Sequence, residues 1–376
     1  MNLVIERQRV PHALVAGVAL AAVMLAASPA MAQKKSAPSK GKPASAPAVS
    51  YELNDSHFHL TNYVQEGTDI REFLKIMGNR VGRVALFGIP LQQEWDYGNT
   101  GDFKPTYYLQ TDAPLYYYSF TDAWIAMAYR SLAPQEQARF DPMITGFNPA
   151  DMYAADHIRR VLTTFPGVFS GIGEFTIHKE FVSSKIAGET ASLMNPALDR
   201  ILDFAGEVGL VVLLHNDIDM PYPKPGQEPY LVDQIRALFE RHPKTTIIWA
   251  HMGVGRVVRP VHDQLAMMER ALSAPGLAHV CMDISWDETA KYLVATPEAT
   301  QATADLINRH PDRFLFGTDE VAPKDQQSYL KVYGLYAPLF EKLTPEAKQK
   351  LLKGNYERIF DKARRDVRAW EKANLK

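Results

Sequence analysis

The chain has 376 residues, 41 Lys and Arg against 43 Asp and Glu, a net charge of −2, and a single cysteine, Cys281. Near-neutral charge argues against a nucleic-acid binder working through phosphate neutralisation. One cysteine excludes an intramolecular disulfide and a Cys-x-x-Cys zinc site, so any metal must be held by histidine and carboxylate.

Residues 1–32 are predicted to be a cleavable signal peptide. Arg7 and Arg9 precede the apolar run ALVAGVALAAVMLAA (13–27), and AMAQ (30–33) supplies a small-x-small cleavage pattern after Ala32. The run is shorter than the about 20 residues of a comfortable span. No stable membrane insertion is therefore expected after cleavage, and the mature chain is expected in the periplasm or outside the cell. Residues 33–50 are rich in Pro, Ser, Ala and Lys and lack large apolar side chains. They are expected to form a disordered linker. One folded domain is expected over residues 51–376.

That domain opens on DSHFHL (55–60). Side chains two apart on a strand face the same way, so Asp55, His57 and His59 share one face. Apolar runs follow at RVALFGI (83–89), PMITGF (142–147), FSGIGEF (169–175) and LVVLLH (210–215), then at TTIIWAH (245–251), AHVCMDIS (278–285) and RFLFGTD (313–319). Continuous hydrophobicity marks strands buried on both faces of a parallel sheet. Helical patterns separate them. NPALDRILDFAGEVG (195–209) carries Asn195 as cap, Pro196 at the first helical position and Gly209 as stop. TPEATQATADLINRHP (296–311) repeats the logic. Strand and helix alternating through eight rounds predicts an α/β fold, a (β/α)8 TIM barrel.

One connection breaks the rhythm. Pro90 to Arg139 contains Trp95, Tyr97, Tyr107, Tyr108, Tyr116, Tyr117 and Tyr118. This aromatic-rich insertion follows the second strand, so it leaves from the catalytic face of a barrel. The roles that stay open are a lid that sets substrate choice, and a packing flap or a subunit contact, the last of which would make the chain a homodimer.

Active sites of such barrels lie at the C-terminal ends of the strands. The polar residues there are His57 and His59, Glu174, His215, His251 and Asp319. Successive intervals of 115, 41, 36 and 68 residues from His59 keep pace with the strand–helix repeat. The six side chains are therefore expected to point at one centre, with the histidines as metal ligands.

With these motifs in place, the chain resembles the amidohydrolase superfamily, in its amidohydrolase-related (amidohydrolase 2) branch. The resemblance rests on HFH, GEF, LLHND, WAHMGVGR and FGTDE in order, and runs from DSHFHL to GNYERIF (354–360). It implies that His57, His59 and His215 ligate metal. Asp319 would be a ligand or the group that takes the attacking water's proton, and His251 would contact the metal or polarise the substrate carbonyl. The carboxylated lysine of many binuclear members is absent from the fourth strand. Glu174 resembles the glutamate of TatD-type hydrolases, where it ligates metal; the alternative for it is a buried carboxylate that orients a histidine.

An N/O donor set suits a divalent metal, zinc first and manganese or iron as alternatives, as one ion or two. The implied activity is a hydrolase in which a metal-activated water attacks a lactone, ester or amide carbonyl of a small-molecule substrate. The alternative is a non-oxidative decarboxylase of the same family, and a more remote one is a catalytically silent binding protein. Arg256 and Trp286 are candidates for substrate contact, against a surface role and rim packing respectively. His178 and Lys179 read as a solvated loop, Asp55 as a buttress of the first strand and Cys281 as an inert core residue. From the leader, N-terminal sequencing of secreted protein should begin at Gln33; an intact Met1 on cytosolic protein would refute the signal-peptide reading.

Overall fold

The computed structural model describes residues 50–61, 67–89, 93–94, 118–179, 183–184, 192–221, 226–261 and 263–375. The signal peptide, the linker up to Val49, and the insertion aromatics Trp95, Tyr97, Tyr107, Tyr108, Tyr116 and Tyr117 lie outside the described residues. Among the described residues, no helix is long and apolar enough to cross a membrane.

Eight strands carry the repeat of the sheet: β1 Leu53–His59, β2 Val81–Phe87, β3 Phe140–Ile144, β4 Gly171–His178, β5 Val211–Asn216, β6 Ile247–Trp249, β7 Val280–Asp283 and β8 Phe314–Leu315. Each pairs in parallel with the next. Beyond β8, Glu320–Val321 pairs in parallel with the end of β1, so the same stretch of chain that ends the sheet also closes it. The result is a (β/α)8 barrel. A helix follows each strand: α1 Ile70–Met77, α2 Tyr118–Arg130, α3 Ala154–Thr164, α4 Pro196–Val208, α5 Val232–Arg241, α6 Gln264–Ser273, α7 Pro297–Arg309 and α8 Asn355–Asn374.

The helix signals act as their chemistry requires. Asn195 accepts from the Ala197 N–H at the start of α4, and Thr296 accepts from the Ala299 N–H at the start of α7. Gly209 ends α4 in the left-handed conformation, φ 85°. Two boundaries differ from expectation. β4 continues to His178, four residues beyond Glu174, which places the glutamate inside the strand. The last part of the Pro90–Arg139 connection is the ordinary crossover helix α2. Its buried Thr121, Asp122, Ile125 and Ala126 fall at helical spacing, a period hidden in the sequence by the aromatics around them.

Two apolar layers hold the fold. The outer one packs the helices onto the strands, and the inner one fills the barrel. The inner layer joins Ala85, Phe87, Met143, Val211, Leu213, Ile248, Cys281 and Leu315 to Tyr356, Ile359, Phe360 and Ala363 of α8. The C-terminal helix thus stoppers the N-terminal end of the barrel and leaves the other end for chemistry. Cys281 sits in this layer with its thiol pushed up by burial, as an inert core residue should.

A buried ion cluster fastens that stopper. Asp141 of β3 has no solvent exposure. It accepts from Arg83 Nη2 at 2.9 Å, from Tyr356 Oη at 2.7 Å and from Arg364, so one carboxylate ties β2, β3 and α8 together. Removing one partner of a buried charge cluster leaves the others uncompensated. Asp141→Ala should therefore cost about 3 kcal/mol in urea unfolding; a loss under about 1 kcal/mol would show that α8 is held by apolar contact alone.

Candidate metal centre

Strand alternation delivers most of the centre. On β1, His57 and His59 face inward, while Asp55, expected on the same face, turns to Thr318 and Tyr329 beside a shift in the pairing with β2; on β5, His215 continues the inward series Val211 and Leu213; on β7, Asp283 continues from Cys281. β4 departs from simple alternation. Its pairing with β5 shifts between Ile172 and Phe175, and the shift turns Glu174 inward while Phe175 joins the outer core. Gly173 permits this, because its φ is +114° and a Cβ there would lie 2.1 Å from the Leu213 carbonyl oxygen.

The expected six residues meet. Asp319 Oδ1 lies 3.2 Å from His57 Nε2 and 3.1 Å from His59 Nε2. Glu174 Oε2 lies 3.6 Å from His57 Nε2 and 3.5 Å from His59 Nε2. These four side chains offer ligand atoms that all fall within 4.8 Å of one another. A second group shares Glu174 through its other oxygen: Oε1 lies 2.6 Å from His215 Nδ1 and 3.7 Å from His251 Nε2. His251 Nε2 is also 3.8 Å from Asp319 Oδ2. His215 thus lies in this second group and not among the four, with its Nε2 held 3.0 Å from Asp217 Oδ1.

Residues not singled out from sequence set the ring orientations. Asp283 Oδ2 is 2.9 Å from His57 Nδ1, and its Oδ1 accepts from the His251 main-chain N–H at 2.8 Å. Ser285 Oγ donates to Asp283 at 2.6 Å and lies 3.1 Å from His57 Nδ1 and 2.9 Å from His251 Nδ1. The Gly88 carbonyl lies 3.3 Å from His59 Nδ1. Acceptors at Nδ1 assign a proton to that nitrogen and turn Nε2 toward the centre, where it can bind a metal that displaces its proton.

Charges are pronounced here. Burial opposes ionisation of Asp319, but His57 and His59 outweigh it and hold the carboxyl well below the usual range. Burial likewise opposes ionisation of Glu174, and Lys179 and His215 hold it well below that range. His57 is raised well above its ordinary value: burial acts against the imidazolium, and Asp319 and Asp283 prevail. His251 is lowered, chiefly by burial with His215 adding to it, so it stands as a neutral ring.

The remaining candidates sit around this core. Trp286 is half-buried, with its ring 5.0 Å from that of His251, and its backbone is left-handed at φ 76°. Arg256 lies over the Trp286 ring at 5.4 Å and pairs with Glu288 at 3.4 Å, at the edge of the site and away from the cluster of donors. Lys179 corrects its reading as a solvated loop residue. It is only 6% exposed, with Nζ 3.5 Å from Glu174 Oε1 and 5.1 Å from the Trp286 ring centre. Asp55 is a buttress, accepting from the His57 and Thr318 main-chain N–H groups.

The four-donor group fits a divalent metal. A tetrahedral shell with donors at about 2.0–2.1 Å has edges of roughly 3.3 Å, close to the 3.1–3.6 Å separations between these histidines and carboxylates. His57 Nε2 and His251 Nε2 are buried with no hydrogen-bond partner. Buried polar atoms of that kind call for an explanation such as a missing ion.

The family model described as Amidohydrolase matches residues 55–362. Among solved structures, the chain is similar to an uncharacterized TIM-barrel protein from Bordetella bronchiseptica, at 14% identity and a TM-score of 0.50, over 83% of this chain and 99% of that one. It is also similar to a candidate 2-pyrone-4,6-dicarboxylic acid hydrolase from Pseudomonas putida, at 15% identity and a TM-score of 0.49, over 83% and 98% of the two chains. Dihydroorotase from Campylobacter jejuni aligns at 15% identity and a TM-score of 0.49, over 82% and 83%. No protein of curated function matches the sequence.

Because Asp283 touches two of the histidines, its amide variant should disturb the centre without emptying the barrel. Asp283→Asn is expected to weaken metal affinity by about 10–100-fold in a chelator competition, with circular dichroism unchanged. Wild-type affinity would show that the histidines are oriented by packing alone.

Proposed function

This chain belongs to the amidohydrolase family of metal-dependent hydrolases, and we propose that it hydrolyses the carbonyl group of a small molecule: a lactone, ester or amide. The observation that carries this reading is the convergence of His57 Nε2, His59 Nε2, Asp319 Oδ1 and Glu174 Oε2 at the C-terminal end of the barrel. These four residues would hold the metal, with His215 joining through Glu174. Zinc suits a small N/O shell best, with manganese or iron as alternatives. When bound, such an ion acts as a Lewis acid and lowers the pKa of a coordinated water from about 15.7 to about 7.

The chain's own groups then divide the work. Asp319 is ionised, and its Oδ2 points toward His251, so it is placed to accept the water's proton. His251 enters neutral, with Nδ1 engaged by Ser285 and Nε2 open toward Asp319. It can relay that proton to the leaving group and, while protonated, donate to the developing oxyanion. Trp286 offers a flat apolar wall beside His251, and Arg256 at its outer face suits a substrate carboxylate.

The test combines metal analysis of the mature protein with a screen of lactones, esters, amides and aromatic acids. Asp319→Asn should retain much of the metal and lose activity by at least about 100-fold; near-wild-type turnover would remove its proton-transfer role. Products that take up oxygen from labelled water support hydrolysis. Release of carbon dioxide without such uptake would transfer the chain to the decarboxylase reading.

A further inference from the structure

We propose that the cleft between α5 and α6, on the outer wall of the barrel, is a binding site separate from the metal centre, and that it takes a small aromatic carboxylate with its acid group at Arg313.

The cleft has a volume of about 320 Å³, within the range of small-molecule sites. Strand alternation makes its floor. On β7, Cys281 faces the barrel interior, so Val280 and Met282 face outward onto the helices, as Trp249 does at the end of β6. From α5 come Ile235 and Phe239, while α6 presents Ala271, followed by Ala274 just past its end. Two alanines on that side leave room that longer side chains would fill. The floor is aromatic and thioether in character. The rings of Phe239 and Trp249 meet edge to face at 5.7 Å, and Met267, Met268 and Met282 lie around them. Ring edges and adaptable, polarizable sulfur suit a flat apolar guest.

One end of the cleft is cationic. Arg313, immediately before β8, donates from Nε to the Val280 carbonyl at 2.7 Å, from Nη1 to that of Leu272 at 2.9 Å and from Nη2 to that of Leu277 at 2.6 Å. These bonds use three of the five guanidinium N–H groups, and every acceptor is neutral. Among the described residues no carboxylate forms an ion pair with Arg313. Burial lowers its pKa, the Arg358 charge adds to that, and the Cys281 thiol acts in the opposite direction. A guest carboxylate would supply the missing counter-charge in the planar geometry that a guanidinium matches best. The wall acids Asp233 and Glu240 are exposed and already face Arg236, at 3.0 Å and 3.9 Å, so they stand apart from that end.

The test is a calorimetric titration of the full mature chain with naphthoate, with naphthamide as the neutral counterpart. Wild type should bind naphthoate and hold naphthamide about tenfold more weakly or worse. Arg313→Gln should weaken naphthoate by a similar factor and leave naphthamide unchanged. Ala271→Trp fills the cleft without touching the metal centre and should abolish binding of both. Should Arg313→Gln loosen the end of α6, whose Leu272 carbonyl it serves, Ala271→Trp decides alone. Naphthoate that binds folded Ala271→Trp as tightly as wild type sits elsewhere, the metal centre included, and overturns the proposal. So does a wild type that binds no naphthoate, or that binds naphthamide equally well.

Discussion

The centre depends on how the eighth pass of the chain is tied to the first. Asp55 does the tying: its buried carboxylate accepts from the His57 N–H at 3.0 Å, the Thr318 N–H at 2.9 Å, Thr318 Oγ1 at 2.6 Å and Tyr329 Oη at 2.8 Å. Burial raises this carboxyl to about 6 while the four donors act in the opposite direction, so it is ionised at neutral pH. The main chain completes the seam, with the Asp319 N–H donating to the His57 carbonyl at 2.8 Å and the Ala322 N–H to that of His59 at 3.0 Å. The distance between His57 and Asp319 is therefore set by main-chain pairing, and the reach of flexible side chains hardly enters.

The same inward-facing rows build both the core and the chemistry. On β5, Val211 and Leu213 fill the barrel before His215 appears; on β7, Cys281 precedes Asp283; after Leu315 on β8 comes Asp319. The apolar members rest on α8, and the polar members begin where that packing ends. This division gathers the charges of the centre at the open end, where each meets an opposite charge or a hydrogen-bond donor, apart from the Asp141 cluster that fastens α8. The dry floor beneath them also strengthens every electrostatic contact in the centre.

What could be read from the chain follows from the physics of each element. Buried parallel strands announce themselves as unbroken apolar runs, and a histidine or carboxylate ending such a run stands out; His57, His59, His215, His251 and Asp319 were legible for that reason. Asp283 was concealed inside AHVCMDIS, although counting in twos from Cys281 would have placed it on the inner face. Glu174 could not have been oriented by counting, because the pairing shift beside Gly173 breaks the alternation. Lys179 looked solvated because a lysine's burial depends on a distant partner, here Trp286, and nothing local records it. The crossover helix α2 was lost among aromatic residues whose abundance suggested an irregular insertion.

Among the described residues, five without the freedom of glycine bend the chain in the left-handed region at strand ends: His251 at φ 56°, Met252 at 53°, Trp286 at 76°, Asp319 at 53° and Ala322 at 47°. Such a conformation costs roughly 1–2 kcal/mol per residue, somewhat less for aspartate. Three of the five are residues of the site, so the rim of the barrel is less stable than its sequence could allow. Glycine at Trp286 would relax the backbone and leave the fold firmer, while removing the ring that covers His251 and Lys179. Random search for thermal stability would therefore drift toward losing the site, and the robustness of the barrel beneath is what lets the strained rim persist.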